Sequence, residues 1–186
     1  MSRGAAKRIE QITEVKLWKV GSGDVLDFVM LDYLRQQDKP IILSSGMSTP
    51  EEIKLSLDFL KEKNKRIALM HCVSKYPCPV ADLSLGLIEK YKNDYLIPVG
   101  FSDHSIDGIE QDLLAVALGA TVIEKHFSLS REFWGADHRF SLLPAEFKLL
   151  VDGIRKLERN SQEKEKILNS DFAQDVLLNK EKKLQD

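Results

Sequence analysis

Two histidines stand where they could hold a metal ion. His104 follows Ser102 by two residues, and His126 follows Glu124 by two residues. On a strand, residues two apart lie on the same face, so two imidazoles from neighbouring strands would converge. Neutral imidazoles together with a carboxylate or water suit a divalent transition ion such as Mn, Fe or Zn. The alternative is that each histidine only caps its strand with a hydrogen bond.

A second set of side chains suits an anion. A cation and three hydroxyl groups stand beside glycine-rich turns, on Lys19, Ser22, Ser44 and Ser74. The backbone N–H groups of such turns can bind phosphate or carboxylate. Tyr76 lies two residues after Ser74 and could stack on a polar ligand or bond to it. It could equally be a wall residue of the site. A glycine-rich turn is weak evidence alone, because glycine also permits tight turns between strand and helix.

These residues stand at the ends of short apolar runs that predict strands. The runs span residues 17–20, 41–43, 67–72, 96–101 and 121–127. Near-continuous apolar strands separated by helical segments indicate a parallel sheet covered on both faces. The carboxyl ends of such strands carry the functional sites of α/β proteins. Two architectures remain open, a doubly wound open sheet and part of a closed barrel.

Helical periodicity predicts helices between these runs and one before the first. The predicted helices cover residues 5–15, 25–34, 50–60, 108–118 and 144–157. Thr49 is a predicted N-cap with Pro50 at the first helical position, and Gly119 is a predicted helix stop. Residues 158–186 are rich in Lys, Glu, Asn and Gln. They predict a charged, partly helical tail after a domain of residues 1–157.

The composition excludes several classes of protein. The chain has 186 residues, with 27 Lys and Arg against 29 Asp and Glu, and a formal net charge of −2. This near-balance argues against a nucleic-acid or membrane-surface binder, which needs a basic excess. No apolar run approaches the 18 or so residues that span a membrane, and no apolar signal-peptide core is visible. The prediction is a cytoplasmic protein without nucleic-acid or membrane partners.

The two cysteines predict no disulfide framework, which also favours a reducing compartment. His71 and Cys72 are adjacent and would point to opposite faces of a strand. This argues against a zinc site built from them and Cys78, so Cys72 is predicted to be a small core residue. The sequence contains no CxxC, GxGxxG or GxSxG motif. The usual redox, dinucleotide and hydrolase-elbow chemistries are thereby excluded.

Six motifs follow one another along the chain. They are Lys-Val-Gly-Ser-Gly-Asp at 19–24, Ile-Leu-Ser-Ser-Gly-Met-Ser at 42–48, His-Cys-Val-Ser-Lys-Tyr-Pro-Cys-Pro at 71–79, Gly-Phe-Ser-Asp-His-Ser at 100–105, Val-Ile-Glu-Lys-His-Phe at 122–127 and Gly-Ala-Asp-His at 135–138. Together they resemble the sialic acid synthase family. That family includes N-acetylneuraminate, legionaminic and pseudaminic acid synthases and spore coat polysaccharide proteins of the same type. The resemblance covers about residues 5–157.

The resemblance implies a TIM-type (β/α)8 barrel, of which the five predicted strands match strands four to eight. The implied reaction condenses phosphoenolpyruvate with the open aldehyde form of an N-acetylated hexose, such as N-acetylmannosamine. The products are a nine-carbon 2-keto sugar acid and phosphate. A divalent ion, Mn or Mg, would be held by His104 and His126 and would polarise the aldehyde oxygen.

The family's site residues carry over position by position. His104, His126 and Lys19 are the implied catalytic residues, and Tyr76 and Asp137 match positions that contact the sugar. The positions that hold phosphoenolpyruvate are matched by Lys19, Ser22, Ser44, Ser74 and Ser102. Two positions depart from common family residues. Residue 24 is Asp where many members have Glu, and residue 74 is Ser where some members have Asn.

Barrel strands one to three of the family find no counterpart in this sequence. In the family, a glutamate that binds the metal and a lysine that binds phosphoenolpyruvate accompany those strands, so they also find no counterpart here. A C-terminal antifreeze-like domain, whose arginine reaches the sugar across a dimer, also finds no counterpart. We therefore expect a shortened synthase that needs the absent strands for activity, supplied by a homo-oligomer or a complementing chain. Two alternatives remain, a non-catalytic interaction module and an unrelated metal-dependent aldolase or hydrolase on the same fold.

Overall fold

Five strands alternate with helices along the chain, of which the computed structural model describes residues 2–168. The strands are β1 (Trp18–Val20), β2 (Ile41–Ser44), β3 (Ile67–Cys72), β4 (Val99–Asp103) and β5 (Ile123–Lys125). The helices are α1 (Arg3–Ile12), α2 (Phe28–Arg35), α3 (Pro50–Lys61), α4 (Gly86–Tyr95), α5 (Glu110–Ala117) and α6 (Pro144–Leu168). Short 3-10 turns lie in the loops at Ser22–Asp24, Val80–Asp82 and His138–Phe140.

All five strands are parallel and form one sheet in the order β1-β2-β3-β4-β5. Each strand therefore pairs only with its neighbours in sequence. A doubly wound sheet instead reverses its strand order at a switch point, so this topology is the singly wound one found in barrels. The prediction of a parallel α/β sheet is confirmed. Of the two architectures left open by the sequence, the strand order is that of the barrel type.

The sheet is strongly curled. Lys19 on β1 and Glu124 on β5 belong to the two edge strands, yet their Nζ and Oε1 atoms lie 3.0 Å apart. In a flat sheet, four strand spacings would separate these edges by roughly 19 Å. The concave face must therefore bring β1 and β5 opposite each other, as the two sides of a half-barrel.

Alternation along the strands sorts side chains between the convex and concave faces. The convex face packs under the helices and holds much of the buried core, including Val20, Ile41, Leu43, Leu69 and Phe101. The concave face carries an apolar layer at Ile42 and Met70, which pair with Ala68 and Gly100 on the adjoining strands. At the next inward-facing positions, two residues closer to the carboxyl ends of the strands, the concave face becomes polar.

Local signals set the helix ends where the sequence predicts them. At the start of α3, Thr49 Oγ1 accepts a hydrogen bond from the Glu52 N–H at 3.3 Å. The Glu52 carboxylate accepts one from the Thr49 N–H at 2.8 Å, which completes a capping box. Gly119, just past α5, has a φ of +103°, a conformation that side-chain-bearing residues rarely adopt.

Two helices differ from the prediction. Periodicity predicts no helix at α4, where only Ile88 and Tyr91 are buried and the apolar signal is correspondingly weak. The predicted last helix ends at residue 157, whereas α6 continues to Leu168. The reason is that Lys and Glu favour helix even without an apolar stripe. The rest of the predicted tail, 169–186, lies outside the described residues. None of the helices within residues 2–168 combines the length and apolar character needed to cross a membrane.

Candidate functional site

A cleft of about 480 Å³ opens on the concave face at the carboxyl ends of the strands. Eight of the nine predicted site residues line it, namely Lys19, Ser22, Ser44, Ser74, Tyr76, Ser102, His104 and His126. Asp137, the ninth, lies outside the lining, but its Oδ2 is 3.8 Å from His126 Nδ1. Five strands and their loops thus contribute to one site. This follows from the side-chain alternation along each strand and from the parallel pairing, which brings all five carboxyl ends to one edge of the sheet.

His104 is held by the loop that follows β3. Its Nδ1 lies 2.8 Å from the backbone oxygen of Val73, and since a carbonyl only accepts, Nδ1 carries the proton and Nε2 keeps its lone pair. The His104 backbone oxygen accepts from the Cys78 N–H at 2.9 Å, and the Tyr76 ring lies over the imidazole at 4.1 Å. Burial, helped by the neighbouring His126, lowers the pKa of His104. The neutral form that binds metals is therefore favoured.

The two predicted metal ligands do converge. The ring centroids of His104 and His126 lie 5.6 Å apart, and Phe140 packs edge-on against His126 at 5.1 Å. Within the described part of the chain no group of three or more His, Cys, Asp or Glu side chains could hold a metal. The imidazole pair therefore fits two positions of a coordination shell, with the others left to water, substrate or groups outside the described residues.

The hydroxyl-lined part of the cleft surrounds Gly46. The Gly46 N–H donates to Ser22 Oγ at 3.1 Å, and Ser22 Oγ lies 3.2 Å from Cys72 Sγ. Ser44 Oγ is buried, and no residue in the described part of the chain forms a hydrogen bond with it. A buried hydroxyl without a partner is costly unless a ligand or water satisfies it, so Ser44 supports a polar ligand in this part of the cleft.

Cys72 is buried, as its prediction as a small core residue requires. It also lines the cleft, because its register partner on β4 is the inward-facing Ser102. The predicted opposite orientation of His71 is confirmed, since His71 Nε2 bonds the backbone oxygen of Leu83 at 2.7 Å. A zinc site from these two residues is thereby excluded on geometry.

Glu124 is a cleft residue that sequence analysis did not include among the site residues. Its Oε1 pairs with Lys19 Nζ at 3.0 Å and accepts from Ser102 Oγ at 2.8 Å. Its position two residues before His126, on the same strand face, was the available signal. Because Glu124 neutralises Lys19, an incoming anion must compete with this carboxylate for the Lys19 ammonium group.

We expect Gly46→Ala to weaken binding of an organic phosphate about tenfold. A Cβ at this position would lie 2.6 Å from both Cys72 Sγ and Ser74 Oγ and 3.0 Å from Ser22 Oγ, so the hydroxyls that surround it must move. Calorimetric titration with phosphoenolpyruvate measures the effect. The matched control is Gly86→Ala at the start of α4, where a Cβ meets nothing within 4 Å. Equal affinities for both variants would contradict the role of Gly46.

Comparison with known proteins matches most of the chain to a family model. Residues 1–166 match the model of the NeuB family. An uncharacterized protein of Methanocaldococcus jannaschii is 43% identical over 154 residues, covering 82% of this chain and 45% of that protein. The N,N'-diacetyllegionaminic acid synthase of Campylobacter jejuni is 39% identical over 148 residues, covering 78% and 44%.

A solved structure agrees with these sequence matches. The crystal structure of the spore coat polysaccharide biosynthesis protein spsE from Bacillus subtilis matches with a TM-score of 0.84 and 33% identity. The match covers 88% of this chain and 46% of that one. The chain therefore spans about half the length of the relatives it matches.

Proposed function

The chain belongs to the NeuB family, and we propose that its cleft carries the phosphoenolpyruvate and metal sites of a sialic-acid-type synthase. The proposed reaction joins C3 of phosphoenolpyruvate to the aldehyde carbon of an N-acetylmannosamine-like sugar. Water adds to C2, phosphate leaves, and a nine-carbon 2-keto sugar acid results. The observation that carries the proposal is His104, whose Nδ1 is tied to Val73 so that Nε2 is available beside His126 and the hydroxyl-lined cleft.

The proposed anion site lies between β1 and β4. The residues proposed to hold phosphoenolpyruvate there are Lys19, Ser22, Ser44, Ser74 and Ser102. The unpaired hydroxyl of Ser44 and the Gly46 N–H beside Ser22 support this assignment. The Lys19 ammonium group supplies the positive charge once the anion replaces Glu124.

The proposed sugar site lies on the other side of the two histidines. Tyr76 stacks over His104, and Asp137 lies beside His126, so both can contact an acceptor whose aldehyde faces the imidazoles. A divalent ion, Mn or Mg, bound between His104 and His126 would supply Lewis-acid polarisation of the aldehyde oxygen. The free thiols of Cys72 and Cys78 support a cytoplasmic location for this chemistry.

The half-barrel leaves both edges of the sheet open. In the described structure β1 pairs only with β2, and β5 pairs only with β4. We assign the five strands, within a domain of residues 1–157, to strands four to eight of an eight-stranded barrel. Turnover would then require three further βα units, from another segment, a complementing chain or a second copy. Closing the barrel with such units would remove both unpaired strand edges.

The experiment combines binding with turnover. We expect calorimetry to show that the chain binds Mn²⁺ and phosphoenolpyruvate, and a phosphate-release assay with N-acetylmannosamine to show no turnover by the chain alone. Adding a polypeptide with the first three βα units of a relative should restore turnover. Turnover by the chain alone would overturn the need for further strands. Failure to bind phosphoenolpyruvate at millimolar concentration would overturn the proposed function itself.

Lys19→Ala should weaken phosphoenolpyruvate binding 10- to 100-fold, because a charge-assisted hydrogen bond is worth about 1.5–3 kcal/mol. Removing Lys19 also leaves Glu124 unpaired, which repels the anion further. Affinity for the sugar should change much less. Calorimetric titration with each ligand measures both effects, and Lys54→Ala, on the exposed face of α3, is the control. Equal losses for both ligands would contradict the assignment of Lys19.

A further inference from the structure

A cluster of buried charges lies behind β4 and β5, on the convex face away from the cleft. Lys125 Nζ lies 2.6 Å from Asp103 Oδ2 and 3.7 Å from Asp112 Oδ2. The Lys125 side chain is 1% exposed, and both carboxylate side chains are 0% exposed. The proposed reaction uses none of these three groups, yet burying them is costly unless they are closely paired.

Asp103 also organises the turn after β4. Its Oδ1 accepts from the Ser105 N–H at 2.7 Å, and its Oδ2 accepts from Ser105 Oγ at 2.9 Å. Lys125 Nζ donates to the Ser105 backbone oxygen at 3.2 Å, and Gln111 on α5 donates to Ser105 Oγ at 2.5 Å. One ammonium group on β5 is therefore tied to the end of β4 and, through Ser105, to α5.

The convex pair alternates with the residues of the cleft. Asp103, the last residue of β4, stands between Ser102 and His104. Lys125, the last residue of β5, stands between Glu124 and His126. In the ladder Asp103 pairs with Lys125, one step after Ser102 pairs with Glu124. Because adjacent residues on a strand share one backbone and point to opposite faces, a contact that holds Asp103 and Lys125 together on the convex face also constrains the residues that follow them towards the cleft.

Outside its ladder with β4, the chain of β5 is tied only past its end within the described residues, where Leu142 donates its N–H to the His126 backbone oxygen at 2.8 Å and pairs with Phe127. β5 is three residues long, and Ile123, Glu124 and His126 are partly exposed, whereas the Lys125 side chain is buried. A slip of one residue would turn Glu124 and His126 away from the cleft. The Glu124 contact inside the cleft is 40% exposed, whereas the Lys125 contact is dry and so electrostatically stronger.

We infer that Lys125 and Asp103 are positioning residues, whose ion pair on the convex face fixes the register of β5 and thereby the spacing of His104 and His126. The inference rests on the proposed function, because it assigns the imidazole pair a metal. Lys125 and Asp103 touch neither proposed substrate. Their effect passes through the backbone of β4 and β5 to the imidazoles.

The test compares two variants that each lose a buried cation. Lys125→Met leaves two buried carboxylates unpaired and threatens folding, so the main variant is the neutral triple Lys125→Met, Asp103→Asn and Asp112→Asn. The control is Arg35→Met, which removes a cation that is 9% exposed and paired with Asp32 on α2 and with Glu62 just past the end of α3. Both variants lose a buried cation and its ion pairs, but only the triple variant loses the pair behind the cleft.

Two readouts separate positioning from general destabilisation. In the metal-free chain, the nuclear Overhauser effect between the His104 and His126 ring protons should weaken in the triple variant and persist in Arg35→Met. Mn²⁺ affinity, measured by electron paramagnetic resonance of free Mn²⁺, should fall at least tenfold in the triple variant and stay unchanged in the control. A folded triple variant with both readouts of the parent chain would overturn the inference. If the parent chain binds no Mn²⁺, the proposed metal role fails, while the metal-free spectrum still decides the positioning role.

Discussion

His104→Ala should reduce the Mn²⁺ affinity of the chain at least 100-fold and abolish turnover of the completed enzyme. The His104 imidazole is the better prepared of the two proposed ligands, because Val73 fixes its tautomer and burial lowers its pKa. If His104 and His126 hold the ion, losing one of them removes both a bond to the ion and the preorganisation of the site. Calorimetric titration with Mn²⁺ measures the loss directly, without depending on catalysis.

The matched control for this prediction is His138→Ala. His138 bonds Ser128 Oγ through Nδ1 at 2.8 Å and does not line the cleft. Its replacement removes a histidine from the adjoining loop without touching the imidazole pair. Thermal unfolding should show that both variants are folded. A folded His104→Ala chain that binds Mn²⁺ as tightly as the parent would remove the metal assignment.

Asp112→Asn should stabilise the chain by up to about 4 kcal/mol at pH 8, and by almost nothing at pH 4. Burial, together with the negative charge of Asp103, raises the pKa of Asp112 from 3.8 to about 7. Between these values the folded chain holds a proton that the unfolded chain has released. Stability therefore falls as the pH rises through this window. About three pH units at 1.36 kcal/mol each give the stated size.

The structural reason is an excess of negative charge. Asp112 and Asp103 share the ammonium group of Lys125, which lies 3.7 Å from Asp112 Oδ2, and among the described residues neither oxygen of Asp112 has a partner at hydrogen-bond distance. Asparagine keeps the size of the neutral acid and carries no charge at any pH, so the penalty above pH 7 disappears. Urea unfolding at pH 4, 6 and 8 measures the difference, with Asp107→Asn in the preceding exposed loop as control. A stability gain independent of pH would contradict this account.

Sequence alone determined the local features. The apolar runs predict five strands close to their observed positions, and Thr49 and Pro50 predict the start of α3. The two-residue spacing in Ser102–His104 and Glu124–His126 predicts which side chains share a face. These features depend on residues close together in the chain, where steric preference and hydrogen bonding of one segment decide the outcome. The order of motifs was enough to indicate the family.

Only the tertiary structure decided how those elements meet. The same βα pattern suits a doubly wound sheet, and the sequential order and curl that bring Lys19 to Glu124 arise from contacts between residues far apart in the chain. The tautomer of His104 depends on Val73, 31 residues away, and the raised pKa of Asp112 depends on burial behind β5. These features depend on which distant segments pack together and exclude water from between them. Local periodicity does not specify that packing. The sequence thus determined which residues could do the chemistry, and the curled sheet decided that they share one cleft.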